Sequence, residues 1–280
     1  MCTVPDSDSP HFVSATLRVS DGVGHVLSND WVNRQYKHMV LEADCRATAA
    51  APGQFFHLRC PPSGDDRPFF RRPMSCHGAD PARGTVEFLY KVVGAGTRGL
   101  AEMKTGDDLP MLGPLGNGFR IEPGWRNLVV VGRGVGLATL APLAEIAAAR
   151  GCGVTAVFSA RDAENLLSVP RFEAAGATVV PVLDTDGSSD LANVERILRG
   201  LRDRGAADVF YTCGSTRLML LMQRLGRELG IPGQVAMEQQ MACGLGMCFC
   251  CVRDFKVGDA VISRRVCHDG PVFDLDEALP

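Results

Sequence analysis

The sequence predicts an all-β domain, then an α/β domain, and last a small cysteine-rich module. Residues 22–122 contain short alternating runs such as QFFHLRC and TVEFLYKVV, separated by turn signals such as APG, PPSGDD and GPLGNG. Residues 123–235 contain the apolar strands NLVVV, VTAVFSA and ADVFYTCG, which alternate with helical patterns. The first pattern favours an antiparallel barrel or sandwich, and the second favours a parallel, doubly wound sheet. Residues 236–280 hold the cysteine module, and residues 1–21 are a polar N-terminal extension.

Composition excludes several classes of protein. The 280 residues suffice for two domains and a small third module, and the apolar fraction of 46% is ordinary for a globular chain. A net charge of −3 gives no general attraction to nucleic acid or anionic membranes. No apolar run is long enough to span a membrane, and the N-terminus lacks the basic and apolar segments of a signal peptide. We therefore expect a cytoplasmic protein whose cysteines are reduced.

Two motifs in the first domain carry groups suited to a phosphate or a flavin. RRPMS, residues 71–75, offers guanidinium and hydroxyl groups beside a proline-fixed turn. YKVVGAGTRGL ends a strand at Gly94, Gly96 and Thr97, where backbone amides can form an anion cradle. Each has a plain structural alternative, a solvated basic loop for the first and a hairpin for the second, so neither motif identifies a cofactor by itself.

A glycine loop opens the second domain. VVVGRGVGLATLAPL places Gly132, Gly134 and Gly136 between a buried strand and an amphipathic helix that Gly151 closes. Glycines here let the backbone approach a pyrophosphate, which the helix N-terminus stabilises through its free amides and dipole. The loop has the short G-x-G-x-G form, so a tight strand–helix turn without a ligand is the alternative. The strand–loop–helix context favours nucleotide binding.

The cysteine module has the spacing of an iron–sulfur site. In MACGLGMCFCCV, Cys243, Cys248 and Cys251 give C-x4-C-x2-C, and Cys267 follows 16 positions later. This is the plant-type spacing of a [2Fe–2S] cluster. Glycines 244 and 246 can adopt the positive φ angles of a wrapping loop, and their amides can donate to sulfur.

Other assignments of these cysteines are less well matched. Zinc more often uses paired C-x2-C knuckles, and a Rieske centre needs a second histidine besides His268. Cys250 lies between two ligands and would point the other way on an extended loop, so we predict that it binds no metal. Met241, Met247 and Phe249 could form a docking face or could simply pack locally.

These motifs together resemble the iron–sulfur branch of the ferredoxin reductase superfamily, and within it the electron transfer subunits of class B dihydroorotate dehydrogenases. PGQFFHLR, RRPMS, YKVVGAGT, LGPLGNGF, VVVGRGVG, MEQQMACGLGMCFCCV and VCHDGPVF occur in the family's order and spacing. The resemblance covers nearly the whole chain after about His25.

The resemblance implies three cofactors and a set of residues for each. FAD would lie in an FAD-binding barrel, a Rossmann-like domain would bind a nicotinamide nucleotide, and the C-terminal module would hold the [2Fe–2S] cluster. The implied FAD residues are Arg72, Pro73, Met74, Ser75, Leu89, Tyr90, Lys91, Gly96 and Thr97. The implied nucleotide residues are Gly132, Gly134, Gly136, Cys213 and Gly214, and the implied metal ligands are Cys243, Cys248, Cys251 and Cys267.

The chain departs from the family pattern mainly near the nucleotide. Arg133 replaces a middle glycine and could pair with the pyrophosphate, Ser215 replaces a proline, and Lys91 stands where arginine is usual. In FSARD, Ser159 and Arg161 could bind a 2′-phosphate and favour NADPH. Asp162 would repel a phosphate and the resemblance points to NADH, so NADH is our prediction.

The resemblance also implies the role and the partner. A nicotinamide gives two electrons as hydride, a [2Fe–2S] cluster takes one at a time, and a flavin can convert between them. No catalytic acid, base or nucleophile is predicted. The partner would be an FMN-dependent dehydrogenase catalytic subunit, assembled as a dimer of heterodimers (a heterotetramer). A reductase that serves an oxygenase or another redox partner, and a zinc-holding binding module, remain open alternatives.

Overall fold

The first sheet is antiparallel and has seven strands. A computed structural model describes residues 19–280, so the predicted N-terminal extension lies outside the described residues up to residue 18. The strands are β1 (Ser20–Trp31), β2 (Tyr36–Glu42), β3 (Phe55–Leu58), β4 (Arg72–Ser75), β5 (Gly78–Asp80), β6 (Thr85–Lys91) and β7 (Asp108–Leu115). Their order is β4-β3-β7-β1-β2-β6-β5, and β4 also contacts β6, which shows that the sheet curls into a half-barrel.

Alternation along β3 gives this strand two different faces. Phe56 and Leu58 are buried in the barrel core with Phe88, whereas Phe55 and the buried His57 point the other way. A short helix, α1 (Ala95–Glu102), follows β6. The hairpin considered for YKVVGAGTRGL is therefore absent from the described structure, and the glycines lead into a helix instead.

The second sheet is the predicted doubly wound α/β sheet. Its parallel strands are β8 (Asn127–Arg133), β9 (Gly153–Ala160), β10 (Thr178–Leu183), β11 (Val209–Cys213) and β12 (Gly233–Ala236). The helices are α2 (Gly136–Ala149), α3 (Val169–Ala174), α4 (Leu191–Asp203) and α5 (Thr216–Leu229). The strand order β10-β9-β8-β11-β12 continues into β15 (Val272–Asp274), which runs antiparallel and belongs to the C-terminal segment.

Helix α2 differs from the amphipathic helix that the sequence suggests. Most of its residues, from Gly136 to Ala144, are buried, because it packs against β8, β9 and β11 on one side and near β5 of the half-barrel on the other. The helix ends at Ala149, and Gly151 follows with a φ of 71°. A central helix enclosed on both sides needs apolar residues all around, which explains its alanine-rich sequence.

The C-terminal segment joins the other two sheets. It contains the hairpin of β13 (Val252–Val257) and β14 (Ala260–Arg265), the short helix α6 (Val266–Asp269) and β15. Phe255, Val266 and Cys267 share one buried core with residues of the α/β sheet and with Phe55 of the half-barrel. No helix within residues 19–280 is both long enough and apolar enough to cross a membrane.

Candidate cofactor sites

The predicted FAD residues lie on two strand ends and one helix start that approach each other. A Cβ atom at Gly96 would come within 2.9 Å of the Arg72 side chain, so the start of α1 packs directly on β4. The half-barrel also brings β4 against β6, which carries Leu89 to Lys91. The structure thus places all three predicted segments around one end of the half-barrel.

The side chains of these residues do different things. The Thr97 hydroxyl accepts hydrogen bonds from the amides of Val93 (2.9 Å) and Gly94 (3.0 Å), so it fixes the turn into α1. Tyr90 is buried in the barrel core and donates to Asn29 Oδ1 at 2.8 Å. Leu89 faces the α/β domain, while Lys91 is exposed. Tyr90 can therefore contribute only backbone atoms to a cofactor outside the core.

The predicted nucleotide residues interlock at the carboxyl ends of β8 and β11. A Cβ atom at Gly136 would lie 2.5 Å from the Cys213 carbonyl oxygen, and one at Gly214 would lie 2.4 Å from the Arg133 carbonyl oxygen. Gly134 has a φ of 55° and Gly214 a φ of 90°. Glycine is required at 136 and 214 because any side chain there would collide with backbone atoms, whereas at 134 the positive φ is what favours glycine.

A cavity of about 200 Å³ lies beside this interlocked pair of turns. It is lined by residues 212–216, Met219, residues 235–238 and Arg253. Cys213 and Gly214 are therefore at a cavity wall, at the edge of a parallel sheet where nucleotides bind in doubly wound folds. A larger groove of about 770 Å³ on the half-barrel, lined by residues 28–30, Lys37 and residues 101–105, includes none of the predicted cofactor residues.

Arg133 does not point freely into the glycine loop. Its guanidinium contacts Asp184 through two hydrogen bonds of 2.6 and 3.1 Å, and donates to Ser159 Oγ at 2.8 Å. The hydrogen bonds from Arg133, and next one from the Ser189 hydroxyl, lower the pKa of Asp184 to about 2. Ser159 is buried. The suggestion that Ser159 meets a 2′-phosphate and that Arg133 pairs with the pyrophosphate has no support from this geometry, because both polar groups already have protein partners.

The four cysteines predicted as metal ligands have their sulfurs close together. The backbone amide of Leu245 donates to Cys243 Sγ at 3.3 Å, that of Gly246 to Cys267 Sγ at 3.2 Å, and that of Cys267 to Cys251 Sγ at 3.3 Å. Cys243 also interacts with Cys248, and Cys267 with Cys251 and Cys243. Cys250 takes part in none of these contacts within the described chain, and its side chain is exposed.

The electrostatics of the cysteine loop (residues 243–251) differ between its more open end, at Cys243, and its buried end, where Cys251 meets Cys267. Burial opposes ionisation of Cys243, but the Leu245 and Cys248 amides and the Cys248 thiol lower its pKa to about 6. Burial, with the neighbouring Cys251 and Cys243, raises the pKa of Cys267 to about 12, although the Gly246 amide acts in the opposite direction. Four thiols, three of which accept hydrogen bonds from backbone amides, are a set that suits a metal cluster, because a bound metal deprotonates its thiols.

The loop itself is held by glycines and by one arginine. Gly244 and Gly246 have φ angles of 72° and 79°, as predicted. Arg265 donates to the Gly246 carbonyl at 3.2 Å and pairs with Asp269 at 3.0 Å. Its guanidinium also lies 5.5 Å from the ring centre of Phe249. Arg265 therefore joins both ends of the cysteine loop.

Three apolar side chains of the loop face solvent, namely Met247, Phe249 and, less fully, Leu245. Met247 is 77% exposed and Phe249 is 64% exposed, whereas Met241 packs against the shared core. Phe249 also has a positive φ of 55°, which is unusual for a bulky residue. Of the three residues considered for a docking face, Met247 and Phe249 are exposed and Met241 is partly buried.

His57 is a functional candidate that the sequence did not single out. It is 1% exposed, and neither ring nitrogen has a partner among the described residues. Burial, with a smaller effect from Arg71, lowers its pKa to about 4, so the imidazole is neutral. Only its place within PGQFFHLR, close to cofactor motifs in the sequence, could have drawn attention to it. The sequence did not single out Asp184 either, because its partner Arg133 is distant in the sequence. It did not single out Arg265, because an arginine four residues before an aspartate is a common surface pair.

Comparisons with known proteins agree with this arrangement. Residues 238–279 match the family model of the iron–sulfur cluster binding domain of dihydroorotate dehydrogenase B. The electron transfer subunit of dihydroorotate dehydrogenase B (NAD+) from Desulforamulus reducens is 33% identical over 84% of this chain and 89% of its own length. The subunit of the same name from Bacillus velezensis is 35% identical over 90% of this chain and 96% of its own.

Solved structures show the same fold. An NADH-dependent reduced ferredoxin–NADP oxidoreductase, studied for flavin-based electron bifurcation, superposes with a TM-score of 0.76 at 28% identity. The match covers 91% of this chain and 88% of that one. The ferredoxin reductase of carbazole 1,9a-dioxygenase, with a TM-score of 0.58 and 22% identity over 76% and 64% of the two chains, shares the fold. The predicted fold class is confirmed.

Proposed function

Because the chain belongs to the family of dihydroorotate dehydrogenase B electron transfer subunits, we propose that it passes electrons between a nicotinamide nucleotide and a partner subunit through FAD and a [2Fe–2S] cluster. The predicted family, oxidoreductase class and cofactor set are confirmed by the relatives and the fold. The observation that carries the residue-level proposal is the group of four cysteine sulfurs, three of them with backbone donors, placed where the three sheets meet.

The cluster belongs on Cys243, Cys248, Cys251 and Cys267. The amides that donate to these sulfurs stabilise negative charge there, which favours the thiolate form needed for iron. The buried end, Cys251 and Cys267, lies in the core shared with the half-barrel, and the open end faces solvent. This arrangement gives the cluster one side toward the FAD domain and one side toward a partner.

FAD belongs at the end of the half-barrel where β4, β6 and α1 meet. Arg72 supplies a positive charge near the start of α1, and the α1 amides suit a phosphate. In the strand pairing, Pro73 lies opposite His57 and Ser75 lies opposite Phe55. Strand β4 of the proposed FAD site is therefore the direct neighbour of the strand that meets the cysteine module. FAD supplies the conversion between hydride and single electrons, and the protein residues fix its position and exclude water.

The nicotinamide nucleotide belongs at the carboxyl edge of the parallel sheet. Gly134 has open space beside it for a pyrophosphate, Gly132 and Gly136 let the surrounding strands and α2 pack closely, and Cys213 and Gly214 border the neighbouring cavity. NADH is the favoured nucleotide. Asp184 pairs with Arg133, so this arginine is not free to bind a 2′-phosphate. The Asp184 carboxylate beside the glycine loop would also repel such a phosphate.

The partner is an FMN-dependent dehydrogenase catalytic subunit. The relatives are named as subunits of dihydroorotate dehydrogenase B, which implies a catalytic partner. We propose a dimer of heterodimers in the cytoplasm, where the free thiols of the described chain would remain reduced. Residues 22–122, 123–235 and 236–280 are the three functional units of the subunit, although β15 of the last unit completes the sheet of the second.

Anaerobic titration of the purified subunit with NADH tests this function. We expect NADH to bleach the flavin absorption and then to produce the electron paramagnetic resonance (EPR) signal of a reduced [2Fe–2S] cluster. Protein from which FAD has been removed should leave the cluster oxidised, because hydride cannot pass directly to it. Cluster reduction by NADH without FAD would contradict the proposed route.

A further inference from the structure

His57 lies between the two groups of cofactor residues. It is on β3, where its partner in the adjacent strand is Pro73 of the FAD segment. On the other side its ring faces Gly244 of the cysteine loop. A Cβ atom at position 244 would lie 3.1 Å from Cε1, 3.1 Å from Nε2 and 3.2 Å from Cδ2 of this imidazole. The Nε2 side of the ring therefore packs on the loop that begins at Cys243.

The ring nitrogens have no partner within the described chain, although the side chain is 1% exposed. Buried polar atoms are nearly always hydrogen-bonded, because an unpaired one forfeits its hydration without return. The neighbouring polar group, Arg71, donates to the carbonyl oxygen of His57 and not to its ring. The acceptor for the imidazole N–H must therefore be a group that the polypeptide does not itself supply.

The position of Nε2 indicates which cofactor supplies that acceptor. The Nε2 side of the ring packs on Gly244, the residue next to a predicted cluster ligand, whereas its strand partner in the FAD segment, Pro73, has no side-chain group that accepts a hydrogen bond. Thiolate and sulfide sulfurs accept hydrogen bonds from N–H groups, and the amides of Leu245, Gly246 and Cys267 already donate to cysteine sulfurs here.

We propose that His57 donates a hydrogen bond from Nε2 to a sulfur of the [2Fe–2S] centre and thereby raises the reduction potential of the cluster. This inference rests on the cluster site proposed above. Hydrogen bonds to cluster sulfurs stabilise the added electron, since they offset negative charge on sulfur. His57 is thus a tuning residue that the half-barrel contributes to a cluster bound by a different part of the chain.

The test compares the holoprotein with His57→Phe, which keeps the shape of the ring and removes the donor, and with His57→Gln, which keeps an N–H at a similar reach. His25→Phe is the control, because His25 is an exposed histidine of the same sheet that pairs with Asp108. Iron, sulfide and FAD contents are measured first. EPR-monitored redox titration then gives the cluster potential, and visible titration gives the flavin potential.

We expect His57→Phe to lower the equilibrium constant for cluster reduction about tenfold, which for one electron is about 59 mV. His57→Gln should recover most of this change, and His25→Phe should show none. An unchanged cluster potential in His57→Phe, or a shift confined to the flavin, would overturn the proposal. Absence of any [2Fe–2S] signal in the wild type would instead refute the proposed cluster site.

A second measurement covers the case in which His57→Phe loads no cluster. Pulsed EPR of reduced wild-type protein labelled with ¹⁵N-histidine should show a weak nitrogen coupling to the cluster. This coupling should disappear in His57→Gln and persist in His25→Phe. A coupling that persists in His57→Gln would come from another histidine, such as His268, and would contradict the assignment.

Discussion

At the scale of single residues, the cysteine loop depends on positions where no side chain fits. A Cβ atom at Gly246 would lie 2.8 Å from the His268 side chain, and one at Gly244 would press on the His57 ring. Both glycines also have positive φ angles. These two constraints let the loop fold closely over the sulfurs, so that amides of the loop can point at them.

The two exposed cysteines of this loop provide a matched test of ligand assignment. Cys248 and Cys250 are both exposed and lie two positions apart, but only Cys248 interacts with another ligand sulfur, that of Cys243. We expect Cys248→Ala to lose most of the iron and the visible cluster absorption, and Cys250→Ala to retain both. Iron, sulfide and absorption are measured after anaerobic purification. Equal losses in the two variants would show that the ligand set is wrong.

Nucleotide preference is also decided by individual charges. Arg133 is bound by Asp184, and Arg161 at the end of β9 is exposed. We expect the wild type to prefer NADH, Arg161→Ala to change kcat/KM for NADPH less than about threefold, and Asp184→Asn to raise it severalfold by freeing the arginine. Diaphorase assays with an artificial acceptor measure these values. A wild-type preference for NADPH that Arg161→Ala abolishes would make Arg161 the specificity residue.

At the scale of secondary structure elements, one ion-pair network fastens the half-barrel to the α/β domain. Arg171 of α3 contacts Glu87 of β6 at 3.0 Å and Glu145 of α2 at 3.1 Å. His77, just before β5, lies 3.0 Å from the Ala138 carbonyl of α2. His38 and Arg171 together hold the pKa of Glu87 at about 2, the hydrogen bond from His38 having the largest effect. The network holds the half-barrel and the α/β domain in a fixed relative position.

Removal of this network should reduce stability. Glu87 is 14% exposed and Arg171 is 22% exposed, so Glu87→Gln should cost about 1–3 kcal/mol, or several degrees in Tm. The folded-state pKa of Glu87 is lowered, so its contribution to the free energy of unfolding is complete above about pH 4.5 and is lost as the pH falls toward 2. At that pH the Tm values of wild type and variant should converge. Scanning calorimetry at several pH values measures the difference.

The control is Arg98→Ala, which breaks an exposed ion pair with Asp66. Exposed pairs contribute about 0–1 kcal/mol, so the Tm of this variant should hardly move. An equal decrease in the Tm of both variants would mean that the interdomain network stabilises the fold no more than an exposed ion pair does.

The elements also show which features the sequence could predict. The strand and helix patterns and the four-cysteine spacing are local, and they predicted both main sheets and the module correctly. The burial of α2 on both sides depends on a contact with another domain, so the periodicity of that helix alone suggested an exposed face. The roles of His57, Arg133 and Arg265 likewise depend on partners brought near by folding, and no local pattern reveals them.

At the scale of the whole molecule, the cysteine module is fused to its neighbours. Strand β15 completes the α/β sheet, and the Asn117 amide after β7 donates to the Gly270 carbonyl at 2.6 Å. One core contains Phe55, Cys267 and residues of α4 and α5. A rigid junction of this kind keeps the distance between the proposed FAD and cluster sites constant, and electron transfer depends on that distance.

The outward side of the cluster loop should meet the partner subunit. Met247 and Phe249 are exposed there and flank Cys248 in the sequence. We expect Met247→Asp to weaken association with the catalytic subunit at least tenfold, because a charge would be buried at the interface, while NADH diaphorase activity persists. Leu220→Asp, at an exposed site on α5, is the control. Size-exclusion chromatography and titration of the two subunits measure association, and equal effects in both variants would contradict this face.

The central claim, that four cysteines hold a redox-active cluster, is tested most directly by metal analysis combined with EPR of the anaerobically purified subunit. The structure predicts two iron atoms and two sulfides per chain by the chemistry of a [2Fe–2S] centre, with a rhombic EPR signal that develops on reduction. One zinc per chain without iron, and no signal after reduction, would contradict the account.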